Sequence, residues 1–385
     1  MSTSRDCGFR QASKMGEVDN RLLMINNRRP YMSSLKEQYV EEGYIVVKDV
    51  LNIEQDIYPL QKAYSELLYA LARIYLVETN SEALDRFDEM SLPERFAMSL
   101  GASRGTVLHH LDPVLNIFVP TFQWRKDLPD ARIPEMFALM RHPKVLDVLE
   151  VLIGPEIAAS PIYHFNLKLA PDHLKLADQV AGSVGADLSK EGFYTFQVGK
   201  TGWHMDAGSG LRDSHESEIV NAWIPITHAT EENSCLVVIP GSHKEGVKYH
   251  PFPEDLDTQG ITLPVDPGDI VFLDNKVMHS STPNTSREDY RWAYNFRYLP
   301  IGQPPGRPFI PGFVARSRSA PETELHNAYV WSAMWVRCLD YLTEKGVPAS
   351  YEDRSKMGLE EAQAITSHWR ELTPDADGWL RLGKD

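Results

Sequence analysis

Trp203-His204-Met205-Asp206 sets an imidazole and a carboxylate two residues apart. In an extended segment residues i and i+2 project from the same face, so both side chains can converge on one metal ion. Two histidines and one carboxylate on one face of an octahedron leave three positions open. That arrangement suits non-haem Fe(II) that must take a cosubstrate and O2 together. About one His-x-Asp triplet is expected by chance in a chain of this composition, and a second is present, His110-Leu111-Asp112. Context separates the two. His279 follows Asp206 by 73 residues, directly after the strand-like run 267–273 (PGDIVFL), so a third ligand can arrive from a distant strand. Arg291 comes 12 residues later and opens RWAYNFRYL. Its planar guanidinium suits the far carboxylate of a chelating keto acid such as 2-oxoglutarate. Arg297, in the same run, is its rival.

Short β-branched and aromatic runs between Gly, Pro, Asn and Asp fill residues 157–300, at Ile162–Leu169, Tyr194–Val198, Val220–Ile226, Cys235–Ile239, Ile270–Leu273 and Trp292–Leu299. Strands at this spacing without intervening amphipathic helices point to a sandwich or jelly roll. Before them, residues 31–156 carry helical patterns, with a capped start at Ser33–Ser34, a strand over Tyr44–Val50, and helices over Leu60–Leu76 and Pro134–Leu152. Residues 171–193 interrupt two strands with a long excursion that could cover a site. A Pro/Gly/Arg-rich stretch follows residue 300 and leads to a helix near Leu325–Glu344. Residues 1–30 read as a flexible lead-in. The expected architecture is mainly β with flanking α. A double-stranded β-helix (jelly-roll, cupin-like) core would be wrapped by N- and C-terminal helices, as one domain over 31–385.

Composition narrows the partners. The 385 residues are 42% hydrophobic and 24% charged, values of a globular chain rather than a disordered or fibrous one. A net charge of −15 makes the chain a poor nonspecific ligand for nucleic acid or anionic membrane. No apolar run is long enough to span a bilayer and the first residues lack a secretory pattern. Three widely spaced cysteines fit a reducing cytoplasm better than a disulfide framework. The oligomeric state cannot be read.

Residues 223–246 (WIPITHATEENSCLVVIPGSHKEG) resemble a run shared by the phytanoyl-CoA dioxygenase family of Fe(II)/2-oxoglutarate oxygenases. So do residues 267–286 (PGDIVFLDNKVMHSSTPNTS), and residues 306–318 (GRPFIPGFVARSR) resemble that family's C-terminal segment. The likeness covers about Ile162–Arg318. It implies a dioxygenase that uses Fe(II), 2-oxoglutarate and O2, releases succinate and CO2, and most often hydroxylates a C–H bond. His204, Asp206 and His279 would hold the metal. Arg291 would bind the cosubstrate carboxylate, Ser281 would hydrogen-bond it and Trp223 would line its pocket. Two departures stand out. The family usually places the arginine eleven residues after the distal histidine, where Tyr290 sits here. Ser234 replaces the usual Gly, read as a turn detail without chemical weight.

Several residues carry blander readings. His243, in the Pro-Gly-Ser-His-Lys turn, reads as structural. His110 and Asp112 read as a non-metal pair, with lining a substrate pocket as the alternative role, and Arg316 and Arg318 as solvated ion-pairing residues. His164 and Asn166 alternate on one strand face and could meet cosubstrate or substrate. Phe118, Phe122 and Trp124 suit an apolar cavity wall. The acidic chain has no basic run for coenzyme A phosphates, so the expected substrate is a small organic molecule. The alternatives are an acyl-CoA hydroxylase of the same family, a jelly-roll metal protein that does not use 2-oxoglutarate, and a metal-free sugar-binding module.

Overall fold

The computed structural model describes residues 10–11, 17–18, 28–76, 84–116, 124–190, 198–210, 212–249, 251–253, 255–307 and 310–345. Their strands are β1 (Arg10–Gln11), β2 (Glu17–Val18), β3 (Tyr44–Val47), β4 (Glu156–Lys168), β5 (Val220–Pro225), β6 (Leu236–Val238), β7 (Ile261–Leu263), β8 (Ile270–Asp274), β9 (His279–Ser281), β10 (Arg291–Pro300) and β11 (Phe313–Ser317). A seven-stranded sheet runs β11-β4-β10-β5-β8-β3-β2, and a four-stranded one runs β1-β7-β6-β9. Pairing is antiparallel except where β1 joins β7 and β2 joins β3. Helices flank these sheets. The architecture is the jelly roll with helical flanks.

The alternation in β10 shows why this sequence makes a central strand. Trp292, Tyr294, Phe296 and Tyr298 all enter one core cluster with Leu60, Tyr64, Leu68 and Phe96 of the N-terminal helices. Successive side chains of a strand point to opposite faces, so Arg291, Ala293, Asn295 and Arg297 turn toward the other face. Strand β3 repeats the division: Ile45 and Val47 pack with the helices, whereas Tyr44 and Val46 pack with Leu236, Val238 and Leu263 of the small sheet. The large sheet is therefore buried on both faces, one against helices and one against the second sheet. At ~25 cal/mol per Å2 of apolar surface removed from water, such double burial is the main stabilising contribution.

Several expected elements differ in extent. The stretch taken as a lead-in contributes β1 and β2, and its helix starts at Arg28 rather than Ser33, running to Glu42. Strand β3 stops at Val47. The helix expected over Pro134–Leu152 is two, Pro134–Met140 and Pro143–Ile153, because Pro143 has no N–H to continue the first. Gly154, at φ 92°, ends the second. The excursion 171–193 is no cover for a site over its described part: Pro171–Ser183 is a helix laid against helix Leu92–Ala102. A Cβ at Gly101 would collide with the Ala177 carbonyl, so the glycine permits that approach. Of the strand expected at Tyr194–Val198, residues 194–197 lie outside the described residues, and Val198 is helical rather than extended. Phe118 and Phe122 also lie outside them. The C-terminal helix spans Ala328–Lys345. Among the described residues no helix is long and apolar enough to cross a membrane.

Candidate metal centre

His204 and His279 are partners in an antiparallel bridge. Each backbone N–H donates to the other's carbonyl, at 2.9 and 3.0 Å. The two imidazoles lie 4.1 Å apart between ring centres. Met205 is extended (φ −114°, ψ 131°) before a short 3-10 turn, Asp206–Ser209, begins. That extended step turns the Asp206 carboxylate toward the imidazoles, with His204 Nε2 3.6 Å from Asp206 Oδ1. One donor atom from each of His204, Asp206 and His279 falls within 4.8 Å of the others.

Both rings are held in one tautomer. His204 Nδ1 donates to the Gly202 carbonyl at 2.9 Å, and His279 Nδ1 to the Val277 carbonyl at 3.0 Å. That leaves each Nε2 lone pair toward the third residue, the orientation that outer hydrogen bonds give to metal-binding histidines. Burial, and then the neighbouring His204, push His279 down to about 4, so it is neutral at ordinary pH. Two imidazoles and one carboxylate are a donor set that fits Fe(II).

Asp206 is buried and held from both sides. Arg297 Nη2 pairs with its Oδ1 at 2.8 Å, and Asn295 Nδ2 donates to its Oδ2 at 3.0 Å. Arg297 Nη1 reaches the Ser209 hydroxyl at 3.1 Å and the Asp206 carbonyl at 3.3 Å. Burial works to raise the Asp206 pKa, but Arg297 and the two imidazoles outweigh it and hold the carboxyl well below the usual range. The acid is therefore ionised.

Arg291 occupies the other end of the same strand face. Its Nε donates to the Ser234 carbonyl at 2.9 Å and its Nη1 to the Asn166 carbonyl at 3.2 Å, with the guanidinium 5.4 Å from the Trp223 ring centre. Burial pushes it down to about 9. Lys168, its cross-strand partner in β4, is buried too, and desolvation followed by Arg291 pushes its amine well down. Ser281 is buried nearby in β9, its hydroxyl accepting from the Thr201 N–H at 3.1 Å. Ser234 is more than a turn detail. It adopts φ 87°, a conformation favouring glycine, while its carbonyl supports Arg291 and its hydroxyl donates to the Thr282 carbonyl at 2.7 Å.

One cavity of about 130 Å3 gathers these groups: His204, Asp206, His279, Arg291, Trp223 and Ser281 all line it, with His164, Asn166 and Arg297. Lys168, Asn295 and Arg307 line it as well and went unnoticed as site residues. For the first two a signal existed, since Lys168 continues the alternation of His164 and Asn166, and Asn295 that of Arg291 and Arg297. Elsewhere the bland readings describe what is seen. His110 turns from the cavity to stack on Trp124, 5.6 Å between centres, while Asp112 accepts from the Phe165 N–H at 3.0 Å and from His164. His243 meets the Val40 carbonyl at 3.1 Å. Arg316 pairs with Asp147 and Glu150, and Arg318 with Glu150.

A jelly roll with this grouping of two imidazoles and a carboxylate in a cation-lined cavity defines a mononuclear non-haem iron oxygenase. Residues 39–293 match the model of the phytanoyl-CoA dioxygenase (PhyH) family. The chain belongs to that family, and it is an Fe(II)- and 2-oxoglutarate-dependent dioxygenase with O2 as the second cosubstrate. It is 25% identical over 292 residues to a phytanoyl-CoA dioxygenase domain-containing protein 1 homolog of Caenorhabditis elegans, covering 70% of this chain and 91% of the relative. Against the peroxisomal phytanoyl-CoA dioxygenase of Rattus norvegicus, identity is 32% over 95 residues, covering 21% of this chain and 28% of that one. Among solved structures, the non-haem α-ketoglutarate-dependent epimerase SnoN from nogalamycin biosynthesis superposes with a TM-score of 0.42 at 17% identity, covering 72% of this chain and 87% of that one.

Proposed function

We propose that the enzyme hydroxylates a C–H bond of a compact, CoA-free organic molecule, with His204, Asp206 and His279 holding the iron. The observation that carries this reading is the meeting of these three residues with buried Arg291 in a single cavity. When bound, Fe(II) supplies the oxidising chemistry: O2 gives one oxygen atom to the substrate carbon and one to succinate as 2-oxoglutarate loses CO2. Arg291 anchors the far carboxylate of the cosubstrate, with Lys168 and the Ser281 hydroxyl beside it and Trp223 as a wall. Arg297 and Asn295 fix the orientation of Asp206. The helix-packed aromatic face of β10 closes the site from behind and keeps water out.

A coenzyme A substrate is disfavoured by what the cationic stretch 307–318 does. Arg316 and Arg318 are engaged by Asp147 and Glu150, and Arg307 is buried, with Nη1 donating to the Val114 carbonyl at 2.7 Å. Two buried thiols, Cys235 and Cys338, support a reducing, cytoplasmic setting. The continuous core from Leu35 to Leu342 supports that span acting as one oxygenase unit, and residues 346–385 of the expected domain 31–385 lie outside the described residues. The test is to supply Fe(II), 2-oxoglutarate and O2 with panels of acyl-CoAs and CoA-free small molecules, and to measure succinate. Succinate stimulated by CoA-free compounds supports the reading. Stimulation by a CoA thioester alone overturns the substrate assignment, and no succinate under any condition overturns the reaction.

A further inference from the structure

His164 stands in β4 opposite Asn295, the residue that bonds the Asp206 carboxylate. It lines the cavity, and its Nδ1 lies 3.3 Å from Oδ2 of Asp112, a buried carboxylate anchored on the Phe165 N–H. The Asp112 carboxylate accepts from the Phe165 N–H and faces His164 Nδ1, so in the neutral ring the proton sits on Nδ1 and Nε2 presents a lone pair. Arg291, Arg297 and Arg307 in the same wall offer only donors, and Nε2 of His204 and His279 is directed to the metal position, while side chains such as Asn166, Asn295 and Ser281 can also accept.

The cosubstrate cannot use such an acceptor. Its metal-end oxygens, from a keto group and a carboxylate, are acceptors themselves, and a lone pair facing them would repel. Its far carboxylate belongs with Arg291 and Lys168, four residues along β4 from His164, a separation of about 13 Å. A reactant with a donor of its own is the complement of His164. Resting on the function proposed above, we infer that His164, set by Asp112, is a specificity-determining residue that accepts a hydrogen bond from a hydroxyl group of the substrate near the carbon that is oxidised. The substrate class is thereby narrowed to hydroxylated small molecules. A site built around a hydrogen bond rejects an analogue that lacks the partner, because its own polar group is then left unpaired.

The experiment is an anaerobic calorimetric titration of the full-length protein loaded with Fe(II) and 2-oxoglutarate. The probes are aliphatic and cyclic alcohols, hydroxy acids and phenols, each beside its O-methyl or deoxy counterpart. At least one hydroxylated probe should bind about tenfold or more tightly than its counterpart. His164→Leu should abolish that preference, and His164→Gln, which keeps an acceptor, should restore part of it. Loading with Fe(II) and 2-oxoglutarate, measured first in the same protein, should be the same in wild type and His164→Leu. Probes that bind equally with and without the hydroxyl, or none that binds, would overturn the inference alone. So would a preference that survives His164→Leu. A wild-type protein that takes up neither Fe(II) nor 2-oxoglutarate would overturn the proposed function, and this inference with it.

Discussion

The two ends of the inward face of β10 hold the same side chain in opposite surroundings. Arg291 rests on neutral acceptors, the carbonyls of Ser234 and Asn166, and has Lys168 across the strand pair. Arg297 is ion-paired to Asp206. A buried guanidinium without a carboxylate has lost its water and gained only partial compensation, which is why burial pulls Arg291 down to about 9. Such a group is ready for an incoming anion. A guanidinium already paired is a brace. Residue type alone does not separate a ligand anchor from a support; the partner it meets does.

Removing the centre that both ends share has the largest effect. His204→Ala or His279→Ala should leave no metal bound at micromolar free Fe(II), while circular dichroism reports an intact fold. His110→Ala, outside the cavity, should leave metal content unchanged. The next experiment contrasts the two ends directly. Arg291→Lys keeps the charge and loses the fork, so the KM for 2-oxoglutarate should rise more than about tenfold with metal affinity little altered. Arg297→Lys should show the reverse weighting, with metal affinity falling by about 10–100-fold. Equal effects of both changes on both quantities would erase the distinction. A finer probe is Ser234→Gly, which frees the strained φ while keeping the carbonyl under Arg291. The KM for 2-oxoglutarate should stay within about twofold, since a main-chain oxygen is the support.

The smallest expected effect concerns acid. Burial pushes His109 and His110 down to about 4, Arg132 adding to the effect on His110. Below the unfolded value near 6.5 the unfolded chain takes up protons that the folded chain refuses. Stability should therefore fall as pH drops from about 6.5 toward 4. The slope in a thermal melt series should lessen in His110→Gln. A flat profile through that window would show that these rings are not shielded.

The triad was legible because its chemistry coincides with a local rule: an i, i+2 pair in extended chain, and a third residue after a strand. Arg291 and the strands of the core were legible for the same reason. The helix at Pro171–Ser183 was missed although His173, Ala177, Val180 and Ala181 mark one buried face at helical spacing. Small and polar residues on that face dulled the apolar signal, and only the close neighbour at Gly101 explains why they suffice. The ion pair of Arg297 with Asp206 could not be read. It depends on how a turn after Asp206 folds back on a strand ninety-one residues away.

The bridge between His204 and His279 bears on which ion the protein carries in a cell. Residues 75 apart in the chain are already joined by a reciprocal pair of main-chain bonds. The chain entropy of bringing them together is settled at folding, not when metal arrives. Capture of an ion then requires little reorganisation, and the site can exert little geometric veto. By the ordinary order of divalent affinities, zinc, nickel and copper compete well against ferrous iron for such a site. The supply of metal ions around the protein, rather than the pocket, would decide between an active enzyme and a mismetallated one.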